Sequence, residues 1–144
     1  MLPDSDLRVS IIQADTVWRD AAANRALYGG LVQTLAGSTD LIVLPETFTS
    51  GFGDAAIDQA EGMDGLSVGW LLELARSVDA VITGSMVIRD GERIVNRLLW
   101  AGPDGELQWY DKRHLFRMLD EHLRYGEGQR RIVTHVRGWR VLPL

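Results

Sequence analysis

Leu41-Ile42-Val43-Leu44-Pro45-Glu46 is the stretch that decides the fold. Four apolar residues in a row suit a strand covered on both faces, the usual state inside a parallel sheet. Pro45 and Glu46 follow, then a loop rich in Thr, Ser and Gly. Upstream, Leu7 to Ala14 reads as a strand in which Leu7, Val9 and Ile11 alternate with Arg8 and Ser10. Asp15 to Gly37 reads as a helix whose apolar stripe is Leu27, Leu31 and Leu35, with Ala23, Ala26 and Gly30 as small neighbours. The pair Gly29-Gly30 costs roughly 1 kcal/mol per glycine in a helix interior, so packing must compensate for it.

Downstream, Ser67 to Val78 is a second amphipathic helix, with Trp70, Leu71, Leu74, Ala75 and Val78 on one side. Ala80 to Thr83 begins another strand. Strand, helix, strand, helix, strand predicts α/β layering with right-handed crossovers. The pattern then changes. Arg89-Asp90-Gly91-Glu92 and Gly102-Pro103-Asp104-Gly105 are turn signals between the strand-like runs Ser85–Ile88, Ile94–Ala101 and Glu106–Tyr110. These predict an antiparallel meander. Lys112 to Gly128 reads as loop with a short helix. Arg131–Val136 and Trp139–Leu144 predict a hairpin around Arg137-Gly138. No repeat or low-complexity linker divides the sequence. Its final residues, Val141-Leu142-Pro143-Leu144, read as an apolar strand cut short, and the expectation is a fragment.

Composition narrows the function. The 144 residues suit one domain, and 46% hydrophobic with 24% charged residues allow a real core. Fifteen Lys+Arg against twenty Asp+Glu give a net charge of −5, which argues against a broad nucleic-acid face. The late cations, Lys112 to Arg140, are interleaved with Asp111, Asp120, Glu121 and Glu127 and read as a solvated or ion-paired face. No apolar run approaches the ~20 residues that span a bilayer, and no signal pattern opens the chain. The expectation is a cytoplasmic protein without membrane or nucleic-acid partners. There is no cysteine, so no thiolate nucleophile and no Cys-based zinc site lie within these residues.

Two residues invite chemistry. Glu46 falls at the carboxyl end of the most apolar strand, where open α/β sheets bind ligands. Burial there would suit a general base, while a solvent-facing or capping glutamate fits the position equally. Lys112 follows the strand-like Glu106–Tyr110 and could aim an ammonium at a developing negative charge, or lie on the surface. His114, His122 and His135 fit no metal-ligand spacing, and adjacent side chains such as Asp120-Glu121-His122 diverge on a helix. No GxGxxG, GxxxxGK[ST] or GxSxG motif is present. The five tryptophans read as packing residues.

Leu44-Pro45-Glu46-Thr47-Phe48-Thr49-Ser50-Gly51-Phe52 resembles the first signature of the nitrilase superfamily, the carbon–nitrogen hydrolases. Tyr110-Asp111-Lys112-Arg113-His114-Leu115-Phe116 resembles the second. Gln13, Asn96 and the Gly105 hairpin match in order and approximate spacing. The resemblance implies an αββα sandwich, of which residues 1–144 supply roughly the first half as a partial hydrolase domain. It implies a Glu–Lys–Cys triad with Glu46 as general base and Lys112 stabilising the tetrahedral intermediate. Glu121 would be a second acid that positions substrate or Lys112, and Phe48 and Phe116 would contact substrate. The family's cysteine would lie just beyond the strand Trp139–Leu144, so these residues alone are expected to be inactive and marginally stable. The Phe-Thr-Ser-Gly-Phe continuation, Arg117-Met118 and Glu121-His122 look most like the omega-amidase branch, which cleaves the terminal amide of dicarboxylic acid monoamides such as 2-oxoglutaramate. The implied partner is a small-molecule amide, with no metal or cofactor, in a homodimer when complete. The other reading is a non-catalytic half-domain that binds a small acid or a partner chain.

Overall fold

The computed structural model describes Pro3 and residues 5–144. Five strands form one sheet in chain order: β1 (Val9–Ile11), β2 (Leu41–Val43), β3 (Val81–Asp90), β4 (Arg93–Ala101) and β5 (Leu107–Asp111). The first three are parallel and the last three antiparallel, as the change of pattern along the sequence predicts. Helices α1 (Ala21–Gln33) and α2 (Leu66–Val78) make the crossovers. A short 3₁₀ helix, Asp54–Gln59, lies between β2 and α2, and two 3₁₀ turns, Arg117–Leu119 and Glu121–Leu123, follow β5. A separate ribbon pairs β6 (Thr134–Val136) with β7 (Trp139–Val141). Its turn has Arg137 at φ 50° and Gly138 at φ 80°, the two positive angles a type I′ turn requires.

Helix α1 is shorter than its leucine spacing predicts. Asp20 begins it by accepting the Ala23 N–H at 2.9 Å. The buried stripe is Asn24, Tyr28 and Val32, not the expected leucines, and Leu31 is exposed. Asn24 is buried without penalty because its side chain accepts the Val17 N–H and donates to the Val17 and Thr49 carbonyls. Gly29 leaves space for the Trp70 indole, whose Cζ2 lies 3.5 Å from the position a Cβ would take.

Tyr28, Val32, Leu71, Leu74 and Val78 of the helices pack on Ile82, Met86, Ile88, Val95 and Leu99 of the sheet. Each fully buried aliphatic or aromatic side chain of this kind contributes roughly 1.5–3 kcal/mol. The opposite face carries Leu41, Val81 and Trp100, which pack against Val136 of the ribbon. Farther along, Val9 and Ile11 of edge strand β1 are exposed, Ile11 at 76%. Strand β3 runs unbroken where two shorter runs were expected. Gly84 permits this, because a Cβ there would meet Leu44 Cβ at 2.8 Å and Phe48 Cδ1 at 3.0 Å.

At the other end of the parallel strands, Asp40 takes the Arg8 backbone N–H at 2.9 Å and the Arg8 guanidinium at 2.8 Å. Hydrogen bonds from the Arg8 side chain, then from its backbone, hold the Asp40 carboxyl down at about 2, against an ordinary 3.8. A depressed carboxyl stabilises the fold above its unfolded value and loses that contribution as pH falls toward 2. Asp40→Asn is therefore expected to flatten the acid limb of stability between about pH 4 and 2, read by thermal melts across that window.

Candidate active site

Glu46 lies just past β2 and Lys112 just past β5, and the sheet brings their head groups together. Lys112 Nζ donates to Glu46 Oε1 at 2.8 Å. It also lies 3.3 Å from Glu121 Oε1 and 3.1 Å from Glu121 Oε2. Asn96 of β4 donates its side-chain N–H to the same Glu46 Oε1 at 2.6 Å. Glu121 is buried, and its Oε2 accepts the Phe116 backbone N–H at 2.7 Å.

Each member is held by local backbone structure. The chain turns sharply after Glu46: Thr47 is buried at φ 48°, a conformation that costs a β-branched residue about 1–3 kcal/mol. Ser85 of β3 holds the turn by accepting the Thr47 N–H on its hydroxyl at 2.9 Å and the Phe48 N–H on its carbonyl at 3.1 Å. The Thr47 hydroxyl is buried and, among the described residues, has no hydrogen-bond partner. Lys112 donates its backbone N–H to the Asn96 carbonyl at 2.9 Å, and its own carbonyl accepts the Gly128 N–H at 3.0 Å. Its neighbour Asp111 forms a two-pronged pair with buried Arg97, at 2.6 and 2.9 Å, while Arg97 also binds Asp90 and covers the Trp109 ring at 5.5 Å.

Burial alone would lower the Lys112 pKa, but the hydrogen bonds and charges of Glu46 and Glu121 outweigh it and raise the value above 10.5. The ammonium is thus the form present at neutral pH. Tyr125 is pushed up to about 12 by burial, then by the charges of Glu121 and Glu46. Glu121→Gln keeps an acceptor for the Phe116 N–H and removes one charge from Lys112. The lysine is expected to titrate lower in that variant, read by heteronuclear NMR of its side chain.

The pair opens into a cavity of about 370 Å³ walled by Leu44, Ser85, Asn96, Leu98, Tyr110 and His114. A smaller cavity of about 150 Å³ lies on the side of Thr47, Glu121 and Tyr125. A carboxylate, an ammonium and a mostly apolar cavity can bind a small polar molecule, move a proton and offset a growing negative charge.

The carbon-nitrogen hydrolase family profile matches residues 8–141. This chain belongs to the carbon–nitrogen hydrolase family. It is 41% identical over 138 residues to the omega-amidase YafV of Escherichia coli strain K12, covering 96% of this chain and 53% of that protein. It is 28% identical over 123 residues to the 2-oxoglutaramate amidase of Bacillus subtilis, covering 83% and 48%. A crystal structure of a CN-hydrolase superfamily protein from Xanthomonas campestris, with an arsenic adduct in its active site, superposes with a TM-score of 0.94 at 54% identity, covering 96% and 52%. The chain spans about half the length of the curated relatives it matches. The fold is that of the nitrilase superfamily.

Within this carbon–nitrogen hydrolase fold, Glu46, Lys112 and Glu121 stand together as the signatures imply. Phe48 does not, and the expected substrate contact is corrected. Its ring is fully buried, with centroids 6.0 Å from Tyr28 and 6.1 Å from Trp70, so it is a core residue beneath the turn. Phe116 is exposed and lies outside the wall of the larger cavity. Its backbone N–H, which anchors Glu121, is what faces the site. Ser85 and Tyr125 carry no motif that singles them out in the sequence, and Asn96 is legible there only as a matched position. Among the described residues no group of three or more His, Cys, Asp or Glu is placed to hold a metal, and no helix is long and apolar enough to cross a membrane.

Proposed function

We propose that this chain supplies the base and the cation of an amide hydrolase acting on the terminal amide of small dicarboxylic acid monoamides, with 2-oxoglutaramate as the type substrate. The observation that carries the reading is the 2.8 Å contact between Glu46 Oε1 and Lys112 Nζ, beside an apolar cavity and backed by Glu121. The names omega-amidase and 2-oxoglutaramate amidase on relatives that match most of the chain support the substrate class.

Glu46 takes the proton of a thiol, and the thiolate attacks the amide carbon. The Lys112 ammonium offsets the oxyanion of the tetrahedral intermediate. The carbon–nitrogen bond breaks as protonated Glu46 returns its proton to the departing nitrogen, which leaves as ammonia. Glu46 then deprotonates water, water attacks the thioester, and the acid and the free thiol are released. These residues contain no cysteine, so the reading requires a thiol supplied from outside them.

The test is ammonia release from 2-oxoglutaramate and succinamate by the protein encoded in the complete reading frame. Turnover of both, lost on alkylation of a thiol, supports the proposal; no release from either defeats it. The cavity beside the Lys112 cation also suits a second reading, a half-domain that binds a small acid there without turnover. Calorimetry with succinamate on the 144-residue chain tests it: binding without ammonia release from the complete protein selects that reading.

A further inference from the structure

We propose that Asn96 is the positioning residue of the Glu46–Lys112 pair, its side-chain amide fixed on Glu46 Oε1 and its backbone carbonyl fixed on the Lys112 N–H. The proposal rests on the reading of that pair as base and cation. One residue thereby holds both members, by two chemically different groups at 2.6 and 2.9 Å. Glu46 and Lys112 each lie just beyond the end of a strand. Asn96 lies inside β4, paired with Val87 of β3, and is buried at 5% exposure. The Lys112 N–H extends the β4–β5 ladder one step past Asp111, so the cation inherits the register of the sheet.

The side chain has to be an amide. A carboxylate only accepts hydrogen bonds, so the Asn96 NH₂ faces Glu46; an aspartate would set acceptor against acceptor. Asn96 and Lys112 both approach Oε1, and among the described residues no hydrogen bond reaches Oε2. Oε2 is therefore the oxygen that takes and returns the proton, while Oε1 is the tether. Truncating Asn96 releases the tether and lets the carboxylate turn away from the ammonium.

Two measurements decide it. In the complete protein, the Lys112 side chain is titrated by heteronuclear NMR in wild type, Asn96→Leu and Asn96→Ser. Glu46 and Glu121 lie against it, His114 lines the same cavity and Tyr125 shares the smaller cavity's wall with Glu121, all unchanged in sequence. Loss of the tether weakens the Glu46 bond and leaves burial less opposed, so Lys112 is expected to titrate lower in both variants. An unchanged Lys112 titration in a variant with a native amide spectrum overturns the proposal. In the complete protein, Asn96→Leu is expected to lower kcat by about 10–100-fold with KM within about threefold, because misplacement by about 1 Å costs ~10²-fold. A raised KM with unchanged kcat overturns it in favour of a substrate contact. If the wild-type complete protein releases no ammonia, the hydrolase reading fails and the NMR titration alone decides the role of Asn96.

Discussion

Glu46→Gln in the complete protein is expected to reduce kcat for amide hydrolysis by about 10²–10⁴-fold, the range for loss of a positioned general base. The substitution preserves shape. Glutamine still offers an oxygen to Lys112 Nζ and to the Asn96 NH₂, so both hydrogen bonds survive as neutral-acceptor bonds. What disappears is the capacity to take a proton. Glu121 does not replace it, because its Oε2 is engaged with the Phe116 N–H and its carboxylate is buried. Steady-state kinetics beside a thermal melt checks this. Near-wild-type turnover with a native melt removes Glu46 from the base role, and a lowered melt with proportionate loss would make it a structural residue.

Gly128→Ala is expected to destabilise the fold by about 3 kcal/mol, lowering the melting temperature by roughly 10 °C. A Cβ at this position would lie 2.0 Å from the Asp111 carbonyl oxygen and 2.7 Å from its carbon. Those are backbone atoms of β5, and no rotamer change relieves the contact. The strand or the 128 segment has to move. Gly128 also donates to the Lys112 carbonyl at 3.0 Å, so the displacement reaches the cation directly. The melt gives the stability loss, and the Lys112 side-chain titration gives the local one. A melt within about 1 kcal/mol of wild type would mean that the segment yields easily and does not hold Lys112 in place.

In α1 and β3, where sequence and structure part, the cause is a partner distant in the chain. The run Leu41–Leu44 is legible because a doubly covered strand needs apolar side chains on both faces, whatever covers it. The meander is legible because its turns carry their own chemistry, such as Gly91 at φ 62°. Helix α1 is misread because counting leucines cannot reveal that Asn24 finds three hydrogen bonds in the loops at Val17 and Thr49. Strand β3 is read as two pieces because the close passage of Leu44 and Phe48 over Gly84 is tertiary. In the site, Glu46 and Lys112 stand out by residue type and strand-end position, and Glu121 enters through the family resemblance. Asn96 shows only as a matched position, since its role depends on register. Phe48 shares a motif with Glu46, yet the left-handed turn at Thr47 sends the two side chains to opposite sides of the layer.

The mixed sheet also predicts an order in which the site assembles. Strands β3 and β4 close across a two-residue turn from Asp90 to Arg93, and β5 adds through another short connection. Val9 with Leu41 and Leu41 with Val81 must instead meet across whole helices, and long loops slow such closures. The locally closed meander already contains Asn96 and Lys112. The lysine is therefore expected to take its place on a three-stranded meander beside the sequence-local Glu121, with Glu46 joining them when the slower parallel strands dock.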